Sequence, residues 1–153
     1  MSAEAKFTIL LVEDDENDSF LFQRALKRNQ IDHPVQWMRD GLEALHYLRG
    51  EGQYADRNAF PFPKIIILDL KMPRLSGMEL LRYLQEHPEL RIIPTVVLSS
   101  SRLATDIEKA YSLGANTYFV KPADFDTLTR LTRTFVDYWT VGEKPERQVN
   151  QNP

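Results

Sequence analysis

Cysteine is absent from the 153-residue sequence, which removes disulfides, thiolate metal sites and a cysteine nucleophile together and fits a reducing compartment. No apolar run approaches the roughly 18 residues of a membrane span, and the opening Met1-Ser2-Ala3-Glu4-Ala5-Lys6 lacks the shape of a signal peptide. These absences predict a cytoplasmic protein with no membrane partner. Lysine and arginine form no stripe and the formal charge is −3, so nucleic acid is not an expected partner either. His33, His46 and His87 show no ligand spacing and no adjacent nucleophile, and read as structural or surface residues. There is no internal repeat, no linker leading to a second domain, and no regular oxygen-ligand spacing of a calcium loop.

What remains is enough for one core: 42% of the residues are hydrophobic. Short β-rich runs at 7–12, 35–38, 64–68, 95–98 and 116–120 alternate with helical patterns at 16–29, 41–49, 77–86, 103–112 and 124–139. The runs at 7, 64 and 95 are almost continuously apolar, as suits strands covered on both faces. Asp40 with Glu43, Ser76 with Glu79, and Thr105 with Glu108 each match the capping box that satisfies orphan amides at a helix start. Gly114 stands where the fourth helix needs a left-handed end. In the last helix, Leu128, Leu131, Phe135 and Tyr138 form one apolar stripe, the first three read as core. Strict alternation predicts an α/β, doubly wound parallel sheet with five strands and five helices. The domain is expected over 6–140, with a short tail at 1–5 and a flexible tail at 141–153. The stretch 51–63 is long for an αβ connection and is either a functional excursion or a mobile loop.

Three strand ends carry charge. The run Lys64-Ile65-Ile66-Ile67-Leu68 ends at Asp69, Leu10-Leu11-Val12 runs into Glu13-Asp14-Asp15, and Tyr118-Phe119-Val120 runs into Lys121-Pro122. Ligands of open α/β sheets bind outside the carboxyl ends of strands, where the strand order reverses. If the first and third strands flank that reversal, Glu13, Asp14 and Asp69 become neighbours. Two carboxylates about 4 Å apart repel by roughly 4 kcal/mol at an effective dielectric near 20. Mg²⁺ is the natural compensation, since it prefers oxygen ligands and is held by one or two carboxylates with phosphate oxygens. Lys121 would add a mobile positive charge. Each residue taken alone has a plainer reading: Asp69 a turn acid, Lys121 a surface lysine, Tyr118 strand packing, and Asp15 or Asn17 a helix cap. Ser100 and Ser101 compete with Ser99 as the hydroxyl at the fourth strand's end.

The combination resembles the receiver domain of two-component response regulators over about residues 6–140. Glu13-Asp14 matches the family's acidic pair, Asp69 its phosphoacceptor, and Met72-Pro73 with Gly77 its following motif. Ser99 matches its switch hydroxyl, Tyr118 its switch aromatic, and Lys121-Pro122 its lysine and a proline usually preceded by a cis bond. The chain is also similar to the single-domain regulators that serve cyanobacterial phytochromes and related bacterial histidine kinases. The resemblance implies a flavodoxin-like sheet of order 2-1-3-4-5. It implies phosphoryl transfer from a sensor histidine kinase to Asp69, with Mg²⁺ held by Asp14, Asp69 and the backbone carbonyl of Lys71, and by Glu13 through a water. Lys121 and Ser99 would bind phosphate oxygens, and Tyr118 would turn inward as Ser99 moves. It further implies a switch protein acting only on itself, with a protein as downstream target. Self-association would use the fourth helix, fifth strand and fifth helix, with Tyr111, Phe119 and Trp139 as candidates. A haloacid-dehalogenase-type phosphatase would need an acid where Lys71 stands. A flavodoxin-like FMN carrier would need a phosphate-binding loop where the acids lie, and intact Asp14, Asp69, Ser99 and Lys121 argue against a phosphorylation-independent pseudo-receiver.

Overall fold

In the parallel sheet each strand presents alternate side chains to opposite faces, and here both faces are apolar. The computed structural model describes residues 5–141. The strands are β1 (Ile9–Val12), β2 (Val35–Met38), β3 (Ile65–Leu68), β4 (Thr95–Ser99) and β5 (Thr117–Val120), in the order β2-β1-β3-β4-β5. Leu10, Val12, Ile66, Leu68 and Val97 face one core, completed by α2 (Gly41–Arg49), α3 (Gly77–Glu86), α4 (Pro88–Arg91) and α5 (Ala104–Ser112). Ile9, Leu11, Ile65, Ile67, Val96 and Leu98 face the other, covered by α1 (Glu16–Arg28) and α6 (Phe125–Val141). Leu128 and Phe135 of α6 are buried in that second core with Leu131 packed against it, whereas Tyr138 is largely exposed. No described helix is long and apolar enough to cross a membrane.

Local chemistry explains most element ends. Ser76 and Glu79 form the reciprocal capping box at α3, and Asp40 accepts from the Glu43 amide at α2. At the end of α5, Gly114 has φ +101°; its amide donates to Tyr111 and that of Ala115 to Ala110, which closes a Schellman motif.

The structure departs from the sequence expectation in four places. Thr105 is no cap: α5 begins at Ala104 behind Leu103, and the connection from β4 is closed by Ser101, whose Oγ accepts from Leu103 N and donates to Asp106. The one-turn α4, with Pro88 at its start, is an extra helix, so the described residues hold six α-helices rather than five, and the expected fourth and fifth are α5 and α6. The stretch 51–63 is a packed flap that includes a 3₁₀ turn at Gly52–Tyr54. Tyr54 is buried, Arg57 donates to the carbonyls of Leu48 (2.9 Å) and Phe60 (3.2 Å), and Tyr47 donates to Pro61 (2.6 Å). Finally, the described residues contain no cis peptide bond, so Lys121–Pro122 is trans, the isomer an X–Pro bond prefers by about 0.5–1 kcal/mol. Of the expected tails, residues 1–4 and 142–153 lie outside the described residues.

Candidate functional site

Backbone hydrogen bonds bring the strand ends level with one another. The amide of Glu13 donates to Met38, that of Asp69 to Val12 (both 3.0 Å), and that of Lys121 to Ser99 (2.8 Å). Charged groups that follow β1, β3 and β5 therefore emerge at the same edge of the sheet. Carboxylate oxygens of Glu13, Asp14 and Asp69 lie within 4.8 Å of one another, with Glu13 and Asp69 buried and Asp14 exposed. Asp69 Oδ1 accepts from the Leu70 amide at 2.8 Å and Oδ2 from Lys121 Nζ at 3.2 Å. Below these groups a cavity of about 60 Å³ is walled by Leu11, Phe22, Ile67, Leu98 and Leu128, which keeps the floor of the site apolar.

That setting shapes the titration of two groups. Burial pushes the Glu13 carboxyl up from 4.5 to about 7, assisted by the charge of Asp69 and opposed by its hydrogen bond to Lys121. Burial disfavours the Lys121 ammonium, but Asp18, Glu13 and Asp69 together outweigh it and hold the lysine protonated well above its ordinary range. Lys121 Nζ is paired with Glu13 (2.9 Å), Asp18 (2.7 Å) and Asp69 (3.2 Å). Three carboxylates share one lysine and Asp14 adds a fourth beside them, leaving an excess of negative charge among hard oxygen donors, and this donor set fits a small divalent cation.

The approach of α3 to the site depends on Gly77. A Cβ there would stand 2.1 Å from the Asp69 carbonyl oxygen, and the Gly77 amide donates to Leu70 at 2.9 Å. Lys71 lies exposed in the same loop, two residues beyond Asp69. Ser99 is buried at the end of β4, in register with Val120, and its Oγ accepts from Ser101 N at 3.2 Å. Tyr118 is turned against the sheet: its ring packs on the first core and its hydroxyl donates to the Ser101 carbonyl at 2.8 Å. Of the expected contact residues, Tyr111 is 47% exposed and accepts from the Tyr118 amide at 3.0 Å, while Phe119 and Trp139 pack partly onto the second core.

Two contributors escaped the sequence reading. Asp18 stands on the first turn of α1, three residues after the N-cap Asp15, whose side chain accepts its amide. Trp37 Nε1 donates to the Glu13 carbonyl at 2.7 Å, which ties the edge strand β2 to the acidic loop.

The profile of the response regulator receiver domain family matches residues 9–133. The chain is 37% identical to a probable methanogenesis regulatory protein, FilR2, of Methanothrix harundinacea over 142 residues, covering 91% of this chain and 87% of that protein. It is 37% identical to the response regulator Rcp1 of Synechocystis over 131 residues, covering 86% of this chain and 87% of Rcp1, of which a Mn²⁺-bound form has been solved (TM-score 0.81 over 92% of this chain and 99% of that one, 35% identity). The solved phosphorylated cyanobacterial phytochrome response regulator RcpA superposes with a TM-score of 0.85 at 38% identity, over 93% of this chain and all of RcpA.

Proposed function

This chain belongs to the response regulator receiver domain family, and on that premise we propose that it is a phosphoacceptor switch of the single-domain phytochrome type, with Asp69 taking a phosphoryl group from a sensor histidine kinase. The observation that carries the reading is the placement of Asp69 at the end of β3, near the oxygens of Glu13 and Asp14 and 3.2 Å from Lys121. An oxygen of Asp69 attacks phosphorus; the bond from phosphorus to the kinase imidazole nitrogen breaks, its electron pair returns to that nitrogen, and the product is an acyl phosphate. Alignment and charge neutralisation do most of the catalytic work in such a transfer.

Asp14, Asp69 and the Lys71 carbonyl would hold Mg²⁺, with Glu13 contacting it through a water. When bound, the ion supplies positive charge against which anionic donor and acceptor can approach. The Mn²⁺ bound by Rcp1 supports a divalent ion here. Lys121 binds a phosphoryl oxygen as a point charge, and the Ser99 hydroxyl leaves the Ser101 amide to bind another. The consequence reaches the surface through Ser101, whose carbonyl holds Tyr118.

In this reading the functional domain is 6–140, flanked by tails at 1–5 and 141–153. The protein works in the cytoplasm, acts on no external substrate, and signals to a protein target. Its kinase is of the phytochrome class, as the RcpA likeness suggests. A homodimer formed through α5, β5 and α6 uses Tyr111, Phe119 and Trp139.

The test is intact-mass spectrometry after incubation with a small phosphodonor and Mg²⁺. We expect one labile phosphoryl gain in the wild type and none in Asp69→Asn. Unlabelled wild type would point to a phosphorylation-independent interaction module, and turnover of external phosphate esters to a phosphatase.

A further inference from the structure

Lys121 cannot keep all its partners when a divalent cation enters beside it. Two of the carboxylates it pairs with, Glu13 at 2.9 Å and Asp69 at 3.2 Å, belong to the trio whose oxygens converge within 4.8 Å. A cation bound there claims the same oxygens and repels the ammonium, because like charges a few ångströms apart in a partly buried pocket are poorly screened.

The third partner lies outside the trio. Asp18 Oδ2 is 2.7 Å from Lys121 Nζ, the shortest of the three contacts. Its side chain is 38% exposed, against 6% for Glu13 and 10% for Asp69, so it holds a cation at a smaller desolvation cost. The helix turn is itself fixed, since Asp15 Oδ1 accepts the Asp18 amide at 2.8 Å.

We infer that Asp18 is a positioning residue that draws the Lys121 ammonium aside and thereby leaves Glu13 and Asp69 open to the divalent ion. It acts through Lys121 and belongs neither to the ion's ligands nor to the reacting atoms. The inference rests on the reading of the trio as a divalent-ion site.

The test is a titration of the full chain with MnCl₂ alone, followed by the electron paramagnetic resonance signal of free Mn²⁺. Wild type is compared with Asp18→Asn, Lys121→Ala and the double variant, and Asp18→Glu serves as the conservative change. With Lys121 present, Asp18→Asn is expected to weaken Mn²⁺ binding about tenfold; in the Lys121→Ala background the same change should shift affinity less than about twofold. Asp18→Glu should stay within about threefold of wild type, which a purely structural role at this position would not require. Losses that differ by less than about threefold between the two backgrounds overturn the inference, as does unchanged affinity in Asp18→Asn. Lys121→Gln provides a second background should Lys121→Ala fail to fold by circular dichroism. The phosphodonor assay on the same wild-type sample separates the two ideas. No phosphoryl gain with the Mn²⁺ pattern intact counts against the phosphoacceptor reading alone, whereas wild type that binds no Mn²⁺ defeats both.

Discussion

Trp37 Nε1 donates to the backbone carbonyl of Glu13 across 2.7 Å, so an indole is wired to the loop that carries two of the three clustered acids. Binding of a divalent ion should therefore change the fluorescence of Trp37. Trp139, on the far part of α6, is the other tryptophan, and a Trp139→Phe protein isolates the signal. We expect a saturable change with MgCl₂ that disappears in Trp37→Phe. A flat response in the Trp139→Phe protein, with binding proved by calorimetry, would refute the link.

Glu13 gives the site a pH dependence. Its folded-state carboxyl titrates near 7 rather than 4.5, chiefly through burial. A raised acid favours the folded state while protonated: this contribution is present below pH 4.5 and is lost as pH rises through about 7. A divalent ion competes with that proton. Its apparent affinity should fall as pH drops below about 7, toward tenfold per unit, and level off above. Isothermal titration between pH 5.5 and 8.5, where Glu13→Gln should flatten the profile, decides the matter.

Asp40 ties two loops together. It caps α2 through the Glu43 amide and accepts from Arg74, which is held at φ +66° in the loop after Asp69, and the Gly41 amide donates to Leu75 at 3.0 Å. Asp40→Ala should cost about 1–2 kcal/mol in urea unfolding, mostly as the lost cap. Arg74→Gly relieves the left-handed backbone while losing a half-exposed ion pair, and should stay within about 1 kcal/mol of wild type. Burial pushes the Asp40 carboxyl up, but the Glu43 amide, the Arg74 guanidinium and the Leu42 amide outweigh it and hold it below the usual range. A depressed acid stabilises the fold above its unfolded value of about 4, and this is lost as pH falls through the lower folded value. Acid unfolding of wild type should therefore be steeper than that of Asp40→Ala.

Gly77 offers the sharpest steric test. With an alanine Cβ placed 2.1 Å from the Asp69 carbonyl oxygen and 2.7 Å from Leu70 Cα, the backbone must yield. We expect Gly77→Ala to cost about 1–3 kcal/mol and to slow phosphoryl gain from a small donor more than tenfold. Wild-type rates with wild-type stability would show that α3 can shift without disturbing Asp69.

The strands were legible because Ile65, Ile66, Ile67 and Leu68 need cover on both faces, and Asp69, Glu13 and Asp14 were legible because they end such runs. The structure places those three acids together with Lys121, as the strand ends suggested. Asp18 was not legible: its meaning arises only where α1 meets the end of β5, 103 residues later in the chain. The Thr105 box misleads because Ser101 closes the preceding turn with its own hydroxyl, so the helix starts two residues before a Thr105 cap would begin it. The 51–63 segment carries no period, so its order rests on contacts of Tyr47, Tyr54, Phe60 and Arg57 that no local pattern announces. Pro88 was the single local sign of the one-turn helix, too short to show a repeat.

The hydroxyl of Tyr111 bears on the solubility of the molecule itself. β5 is the outermost strand on its side, and the phenol already takes the Tyr118 amide that an incoming chain would use to dock. Intermolecular strand addition at this margin has to displace α5 first, so the sheet is plugged against ladder growth where it would otherwise be most open to aggregation.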